Sequence, residues 1–511
     1  MTGNVNLKYI RMKQRKIERV ILVNLPVRQS TYIQSQVVQP MGLSYLAAVL
    51  RDKYDVKILD ASLLGFNQIR KLAWNYLEWG LSTEDIVKEV TKFDPQVVGL
   101  SCMFSHQMPL VAQVSSEIKQ MSPDTITVAG GTHPSFLPER SFDMSPGLDF
   151  IVLSESERSL LQLLAAIEKG TPFAEIDGLA WKENGQIKIN PKTKYVEDLN
   201  ELPFPARDLL DLETYFKVNL PFLYYSKNNR NVSFITTRGC PFKCTFCSSC
   251  NYWGNHIRYR SVENVLQEMR EIKSCFNVRE LKFEDDNLLL DKKRAKQIFR
   301  AMIDEKLNFT WNMPNGAYVA SMVDEELVRL MKESGCFEVI LAIESGSQDV
   351  LDNIVHKPLD LSKVEPVIKN LKDNDIDIHA FFIMGFPGET KEQIKNTLRY
   401  ARKIGLDHAY VFLYNPLPGS ELFDECIQKG YYTHEMVMRA GYDHSGCTTS
   451  EFNPEMLVKW QEAFTIFQNL EMIYKNPRKL FTKYLARTAN RQNYRAVTMA
   501  LRTFLLGLFK D

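Results

Sequence analysis

The apolar positions of this chain follow two alternating rhythms. Short runs rich in β-branched residues occur at VILVNLP (20–26), DVKILDA (55–61), QVVGLSCM (96–103), TITVAGG (125–131) and DFIVLSE (149–155). Between them lie stretches with helical spacing, such as MGLSYLAAVLRDK (41–53), VAQVSSEIKQM (111–121) and the SERSLLQLLAAIEKG that begins at Ser156. Continuous apolar strands separated by helices predict a parallel sheet covered on both faces. Five such units within about 150 residues predict a flavodoxin-like, doubly wound α/β domain over 1–168.

Residues 169–228 break this rhythm. ENGQIKINPK (183–192) predicts a hairpin with an Asn-Gly turn, and LPFPARDLLD (202–211) reads as a Pro-rich linker. A second series follows. Its strands are NVSFITTRG (231–239), RELKFEDD (279–286), FTWNMP (309–314), FEVILAIES (337–345), DIHAFFIMGFPG (377–388) and HAYVFLYNP (408–416). Amphipathic stretches at 261–275, 291–305, 324–335, 360–374 and 390–405 alternate with them. Six units predict a (β/α)6 partial TIM barrel over 229–424, with its site at the C-terminal strand ends. A helical subdomain is expected over 425–511, led by EMLVKWQEAFTIFQNLEMIY (455–474).

Composition changes this picture little. With 45% hydrophobic and 24% charged residues the chain is an ordinary globular protein, and its net charge of +1 gives no argument for nucleic acid as a partner. No run of 18 apolar residues occurs, so no spanning helix is expected, and the basic N-terminus lacks the apolar stretch of a signal peptide. Nine cysteines, mostly scattered, do not form a disulfide framework, and a reducing cytoplasm is the expected location. Residues 475–511 hold nine Lys/Arg and one acid. That run reads as the solvated face of a packed helical subdomain, with peripheral contact to an anionic membrane as the alternative.

Candidate chemistry concentrates in TTRGCPFKCTFC, where Cys240, Cys244 and Cys247 are spaced C-x₃-C-x₂-C. Iron–sulfur clusters are usually held by four cysteines. Three thiolates leave one iron open to an exogenous ligand. Zinc would want a fourth ligand, for which Cys250 and His256 are candidates. Cys250 would also close a four-cysteine cluster restricted to electron transfer or structure. Cys102, Cys275, Cys336 and Cys426 stand in apolar patterns and read as core residues.

At TTRGCPFKCTFCS, with an Arg-Gly pair before the first cysteine and Phe246 before the last, the chain resembles the radical S-adenosylmethionine (SAM) superfamily. The resemblance implies that Cys240, Cys244 and Cys247 hold a 4Fe-4S cluster. SAM would chelate the open iron, and an electron from an external reductant of flavodoxin or ferredoxin type would cleave it to a 5′-deoxyadenosyl radical. FEDDN (283–287) ends the second barrel strand, where the superfamily contacts the methionyl amine, and Glu284, Asp285 and Asp286 are alternatives for that contact. AIESGS (342–347) resembles the region touching ribose and carboxylate, with Glu344 and Ser345 as candidates. IMGFPGET (383–390) resembles the segment passing the adenine, where Gly385 and Gly388 allow close backbone approach.

Upstream, VVGLSCMFSHQ and VAGGTHPSFLPE resemble the cobalamin-binding domain of one class within that superfamily. The resemblance implies hydrogen bonds from Ser101 and Ser105, and close approach of the cofactor at Gly130 and Gly131. DFIVLSESE stands where relatives carry Gly-Glu-Gly-Glu: Glu155 and Glu157 match, while Ser154 and Ser156 replace glycines. The D-x-H-x-x-G motif is absent, so cobalamin would bind without a protein imidazole under the cobalt, and His106 and His133 read as loop histidines. The class implies a cobalamin-dependent methyltransferase acting on an unactivated carbon of a small molecule, and the basic tail favours a lipid-like or anionic substrate. A cyclase resembling the anaerobic magnesium-protoporphyrin ester cyclase branch is one alternative. A non-catalytic iron–sulfur or zinc protein is the other. Tyr252, Trp253 and Trp311 are expected to line the barrel mouth.

Overall fold

Two sheets carry the two βα series in a computed structural model that describes residues 15–30, 37–72, 76–219, 226–438 and 447–475. The first contains β1 (Arg19–Asn24), β2 (Asp55–Asp60), β3 (Val97–Ser101), β4 (Ile126–Gly130), β5 (Phe150–Val152), β6 (Leu179–Glu183) and β7 (Gln186–Asn190). Their order is β7-β6-β5-β4-β3-β1-β2. The first five strands are parallel in the flavodoxin-like order 2-1-3-4-5, so the expected fold is present.

Successive residues of these strands go to opposite faces. Val20 and Leu22 join one core with α1 (Met41–Leu50). Ile21 and Val23 join another with α2 (Thr83–Phe93) and α3 (Met108–Met121). The first core also includes α4 (Glu157–Lys169) and runs on through Tyr215, Phe216, Val232 and Phe234 into the core of the second sheet.

Two features of this region differ from expectation. The hairpin assigned to the linker is part of the sheet: β6 pairs antiparallel with β5, Ile151 opposite Ala180, and β7 pairs with β6. Its turn is the expected one, with Asn184 and Gly185 both at positive φ (51° and 79°). The buried LAW run at the start of β6, whose Trp181 packs edge-on to Phe173, is what docks it. A small antiparallel sheet of Val27–Ser30, Tyr76–Trp79 and Ile69–Lys71 also follows β1, joined by Glu78 pairing with Arg28 and Arg70.

The second sheet contains β8 (Asn231–Phe234), β9 (Glu280–Phe283), β10 (Thr310–Ala317), β11 (Cys336–Glu344), β12 (Asp377–Met384) and β13 (His408–Leu413), all parallel and in chain order. This is the predicted six-stranded open barrel. Its helices start where the sequence marks them. Ser261, Asp291, Asp324 and Thr390 each accept a backbone N–H with the side chain, and Thr390 with Gln393 completes a capping box.

An open barrel leaves two unpaired edges. At β8, Gln39 accepts the Ser233 N–H (3.2 Å) and donates to the Asn231 carbonyl (3.0 Å). At β13, Gln468 accepts the Ala409 N–H (2.7 Å) and donates to its carbonyl (3.1 Å), while Gln461 donates to the Val411 carbonyl (2.7 Å). Both glutamines belong to α6 (Pro454–Lys475), the helix expected at 455–474.

Some expectations fail on packing. Trp311 is fully buried, against Phe299 and Phe283, and does not reach the mouth. β10 points it at the helix layer, on the opposite face from Asn312. Cys275 is exposed near the end of α5 (Val262–Phe276), while Cys102, Cys336 and Cys426 are buried as expected. The basic run from residue 476 on, with its membrane reading, lies outside the described residues. Among the described residues no helix is long and apolar enough to cross a membrane.

The linker is held by charge. Arg207 is buried, donates to Glu268 of α5 and to the Ser233 carbonyl (2.9 Å), and Glu268 also pairs with Arg260. Glu268→Leu removes the shared carboxylate and leaves two buried guanidiniums without it. We expect a loss of about 3–5 kcal/mol, seen as an earlier urea transition of the barrel.

Candidate active site

The cysteine loop is a crossing between two short strands. Thr237–Arg238 pairs antiparallel with Arg258–Tyr259, and the three cysteines lie between. Gly239 turns the chain into the loop at φ +91°, and a Cβ there would stand 2.5 Å from the His256 carbonyl oxygen. Only glycine fits, which gives the Arg-Gly pair its physical reason. Thr245 pins the loop to the barrel, its N–H on the Val355 carbonyl (3.1 Å) and its hydroxyl on that of Ile354 (2.8 Å).

All three thiols are half-buried, and burial pushes them up, Cys244 to about 11 and Cys247 to about 12. Iron binds thiolate, so these protons leave as the site fills. Two donors already face the sulfurs: Asn287 Nδ2 at 2.8 Å from Cys240 Sγ, and the Ser249 N–H at 3.4 Å from Cys247 Sγ. Among the described residues no three His, Cys, Asp or Glu side chains converge as a single zinc ion requires. Thiolates that bind separate corners of a cluster need no such convergence. Three thiols, with N–H donors facing two of the sulfurs, are the donor set a thiolate-held cluster would use.

The end of β9 serves this loop residue by residue. Glu284 accepts the Ser233 hydroxyl at 2.6 Å, and burial pushes its carboxyl up to about 7. Asp285 is fully enclosed and accepts the Thr236 N–H (2.9 Å) and the hydroxyls of Thr236 and Thr237 (2.8 and 2.7 Å). Asp286 accepts the Ser249 hydroxyl at 2.6 Å. Burial raises both aspartates. Of the three acids, Asp285 is thus committed to the chain leading into Cys240.

At the end of β11, Glu344 sits at φ +68° and pairs with Lys357 Nζ at 3.1 Å. Burial alone would lower the Lys357 ammonium, but Glu344 and the sulfurs of Cys244 and Cys247 hold it charged. Lys357 escaped sequence reasoning, and its one signal is a basic residue ten positions past the AIESGS segment. Ser345 turns away, to the Thr397 hydroxyl (3.0 Å) and the Ser347 N–H (3.2 Å).

After β12, the N–H groups of Gly385 and Phe386 both donate to one oxygen of Glu389 (2.7 and 3.1 Å). The other Glu389 oxygen is buried and meets no donor among the described residues. Burial pushes this carboxyl up to about 8. Phe246 packs on Phe386 (centroids 5.7 Å), which packs on Tyr414 (5.1 Å), so the aromatic before Cys247 braces the loop against the fifth strand.

In the first sheet, Asn24, Ser101 and Gly130 stand in register at the C-terminal ends of β1, β3 and β4, all half-buried along the switch-point crevice. Gly131 sits at φ +114°, and a Cβ would stand 2.4 Å from the Cys102 carbonyl oxygen, so the ends of β3 and β4 touch backbone to backbone. Ser105 bonds His133 Nδ1 at 2.8 Å. His133 is not a loop histidine: it is buried in the short helix Thr132–Phe136, and burial pushes it down to about 4, so its ring stays neutral. His106 stacks on Phe104.

The two sites adjoin. Tyr252, five residues after Cys247, donates to the Ser154 carbonyl (3.1 Å) and packs against Phe136. A Cβ on Gly419 would stand 2.4 Å from the Phe136 ring. Ser154 is at φ +56°, a left-handed position that glycine adopts without strain.

Comparison with known proteins agrees with this geometry. Residues 234–401 match the radical SAM superfamily and residues 35–164 the B12 binding domain. The chain is 32% identical over 463 residues to cytidylyl-2-hydroxyethylphosphonate methyltransferase of Streptomyces wedmorensis, covering 85% of this chain and 86% of that protein. It is 26% identical to anaerobic magnesium-protoporphyrin IX monomethyl ester cyclase of Rubrivivax gelatinosus, covering 84% and 74%. Its fold matches the radical SAM methyltransferase TsrM of Kitasatospora setae, solved with cobalamin and a [4Fe-4S] cluster, at TM-score 0.63 and 17% identity, covering 81% and 75%. The chain belongs to the radical SAM superfamily, in the class whose barrel follows a cobalamin-binding domain. It is a radical SAM enzyme, with a 4Fe-4S cluster, SAM and cobalamin as its cofactors.

Glu389 gives a signed pH test. Its folded carboxyl titrates near 8 against 4.5 for a free one, so the folded state binds the extra proton. Wild-type stability should therefore fall as pH rises from 4.5 to about 8. Glu389→Gln keeps an oxygen for the two N–H groups and cannot ionise. It should gain on wild type across that window by no more than about 5 kcal/mol, measured by urea unfolding at a series of pH values.

Proposed function

We propose that this enzyme methylates an unactivated carbon of a small or lipid-like molecule. The observation that carries this reading is the contact of the cysteine loop with the strand-end crevice of the first sheet, through Tyr252, Ser154, Phe136 and Gly419. In that arrangement a carbon bound between them would face both cofactor sites.

In this reading Cys240, Cys244 and Cys247 hold the cluster. Lys357, charged and beside Cys244, would meet the methionyl carboxylate, and Glu344 and Glu284 the amine and ribose. A carboxyl near 7, such as that of Glu284, ionises readily once an ammonium lies next to it. Phe246 and the Gly385–Phe386 turn would wall the adenine. Asn24, Ser101, Ser105, Gly130 and Gly131 would line the cobalamin crevice. When bound, the cluster with SAM supplies a carbon-centred radical and cobalamin supplies a methyl group. The chain's own part is to hold the substrate carbon between them and keep water out. An external one-electron reductant completes the system, and the basic run beyond residue 475 offers peripheral contact with an anionic membrane.

Ring formation is the second reading, favoured by the cyclase relative. Methyl-labelled SAM separates the two, since only methylation carries label into product. The direct test uses protein reconstituted anaerobically with iron, sulfide and hydroxocobalamin. Wild type should bind cobalamin and release 5′-deoxyadenosine from SAM. Cys240→Ala, Cys244→Ala and Cys247→Ala should each lose the cluster absorbance and that release. Release that persists in all three variants would overturn the site, and no cobalamin uptake would remove methyl transfer from it.

A further inference from the structure

A set of four buried charges joins the two sites. Arg238 Nη2 lies 2.7 Å from Glu157 Oε1, and Nη1 lies 3.2 Å from Glu155 Oε2. The same Glu155 oxygen takes Arg258 Nη1 at 2.7 Å, and its other oxygen takes the Val196 N–H at 2.6 Å. Arg258 also donates to the carbonyls of Val196 (2.8 Å) and Trp253 (3.1 Å). The Arg238 guanidinium lies between the rings of Tyr45 (4.8 Å) and Trp253 (5.2 Å). None of the four charged side chains is more than 7% exposed.

The placement of these residues is what matters. Glu155 and Glu157 flank the start of α4, just past the C-terminal end of β5 in the cobalamin-binding sheet. Arg238 is the last strand residue before the cluster loop, two positions ahead of Cys240. Each residue of chain spans at most about 3.5 Å, so Arg238 holds the first cluster ligand within roughly 7 Å of backbone. We propose that Arg238 is a positioning residue that fixes the distance between the cluster and cobalamin. This inference rests on the two-cofactor reading above.

Stability alone does not account for the set. Apolar residues of similar volume usually stabilise a buried contact as well as an ion pair or better, and the best-attested use of a buried pair is to fix register. Charge-assisted bonds from a planar guanidinium fork tolerate little sliding, whereas an apolar interface would. Two arginines and two glutamates balance in charge, with Arg238 hydrogen-bonded through Nη2 to Glu157 and held to Glu155 through Nη1 as an ion pair only. The reaction needs such a fixed spacing. A misplacement of about 1 Å between reacting groups costs on the order of 10²-fold in rate.

The test reads spacing rather than turnover. The holoprotein, reconstituted with iron, sulfide and hydroxocobalamin, is reduced so that cluster and cob(II)alamin are both paramagnetic, and their dipolar coupling is measured by pulsed EPR. Wild type should give a single narrow coupling. Arg238→Met and Glu157→Gln should keep both cofactors at wild-type stoichiometry and lose that single coupling to a broad spread. Arg238→Lys, which keeps the charge and gives up the fork, should fall between. The same narrow coupling in Arg238→Met and Glu157→Gln overturns the proposal. So does loss of either cofactor from every variant, because the charges would then serve the folding of each site. A wild-type protein that takes up no cobalamin, visible in its optical spectrum, overturns the underlying reading instead.

Discussion

A parallel sheet of six strands that does not close has two edges of unpaired N–H and C=O groups, and the rest of this molecule is arranged around satisfying them. A glutamine side chain carries both a donor amide NH2 and an acceptor carbonyl, so it can imitate the next strand at one position. Gln39 does this at β8, just before α1, and Gln468 with Gln461 does it at β13. The first places the flavodoxin-like sheet on the opening side of the barrel, and the second lays α6 along the far edge. Arg207 adds a bond to the Ser233 carbonyl on the β8 side. The cofactor sites come together because the edges of the barrel draw the flanking elements to them.

Around the cluster loop the dominant cost is desolvation. Thiols, carboxyls and the Lys357 ammonium all sit where charge is poorly solvated, and the carboxyls of Glu284, Asp285, Asp286 and Glu389 are all pushed up. Hydroxyl and N–H donors offset part of this: Ser233 for Glu284, Thr236 and Thr237 for Asp285, Ser249 for Asp286. The same bonds tie the end of β9 to the segments on either side of the first cysteine. Electrostatic need and loop geometry are met by one set of contacts.

Much of this was legible in the chain. Strand and helix periods and the Asn184-Gly185 turn are local signals, and each appears where expected, the barrel helices opening on caps at Ser261, Asp291, Asp324 and Thr390. The cysteine spacing is local too. What stayed hidden depends on pairs far apart in sequence. Arg207 in the linker reads as a surface charge until Glu268 is found beside it. Ser345 and Asp285 carry the right chemistry at the right strand ends, yet their partners, Thr397 and Thr236, turn them inward. Lys357 lies outside every motif named and reaches the cluster loop only through the fold. Trp311 was misread because one register step on β10 decides between the lumen and the helix layer.

That contrast bears on how far the fold specifies chemistry. The crevice glycine Gly131 and the loop glycine Gly239 are required by backbone contacts within the protein, to Cys102 and His256, before any cofactor is considered. Their presence reports the architecture of the class more directly than it reports a ligand. The charged groups behave differently. Lys357 and Glu344 could have been apolar at no cost to the strand that carries Glu344, and Arg238 and Glu157 could have been a packed aliphatic pair. Charge retained in buried positions beside two cofactor sites is best explained by what those positions must hold in place.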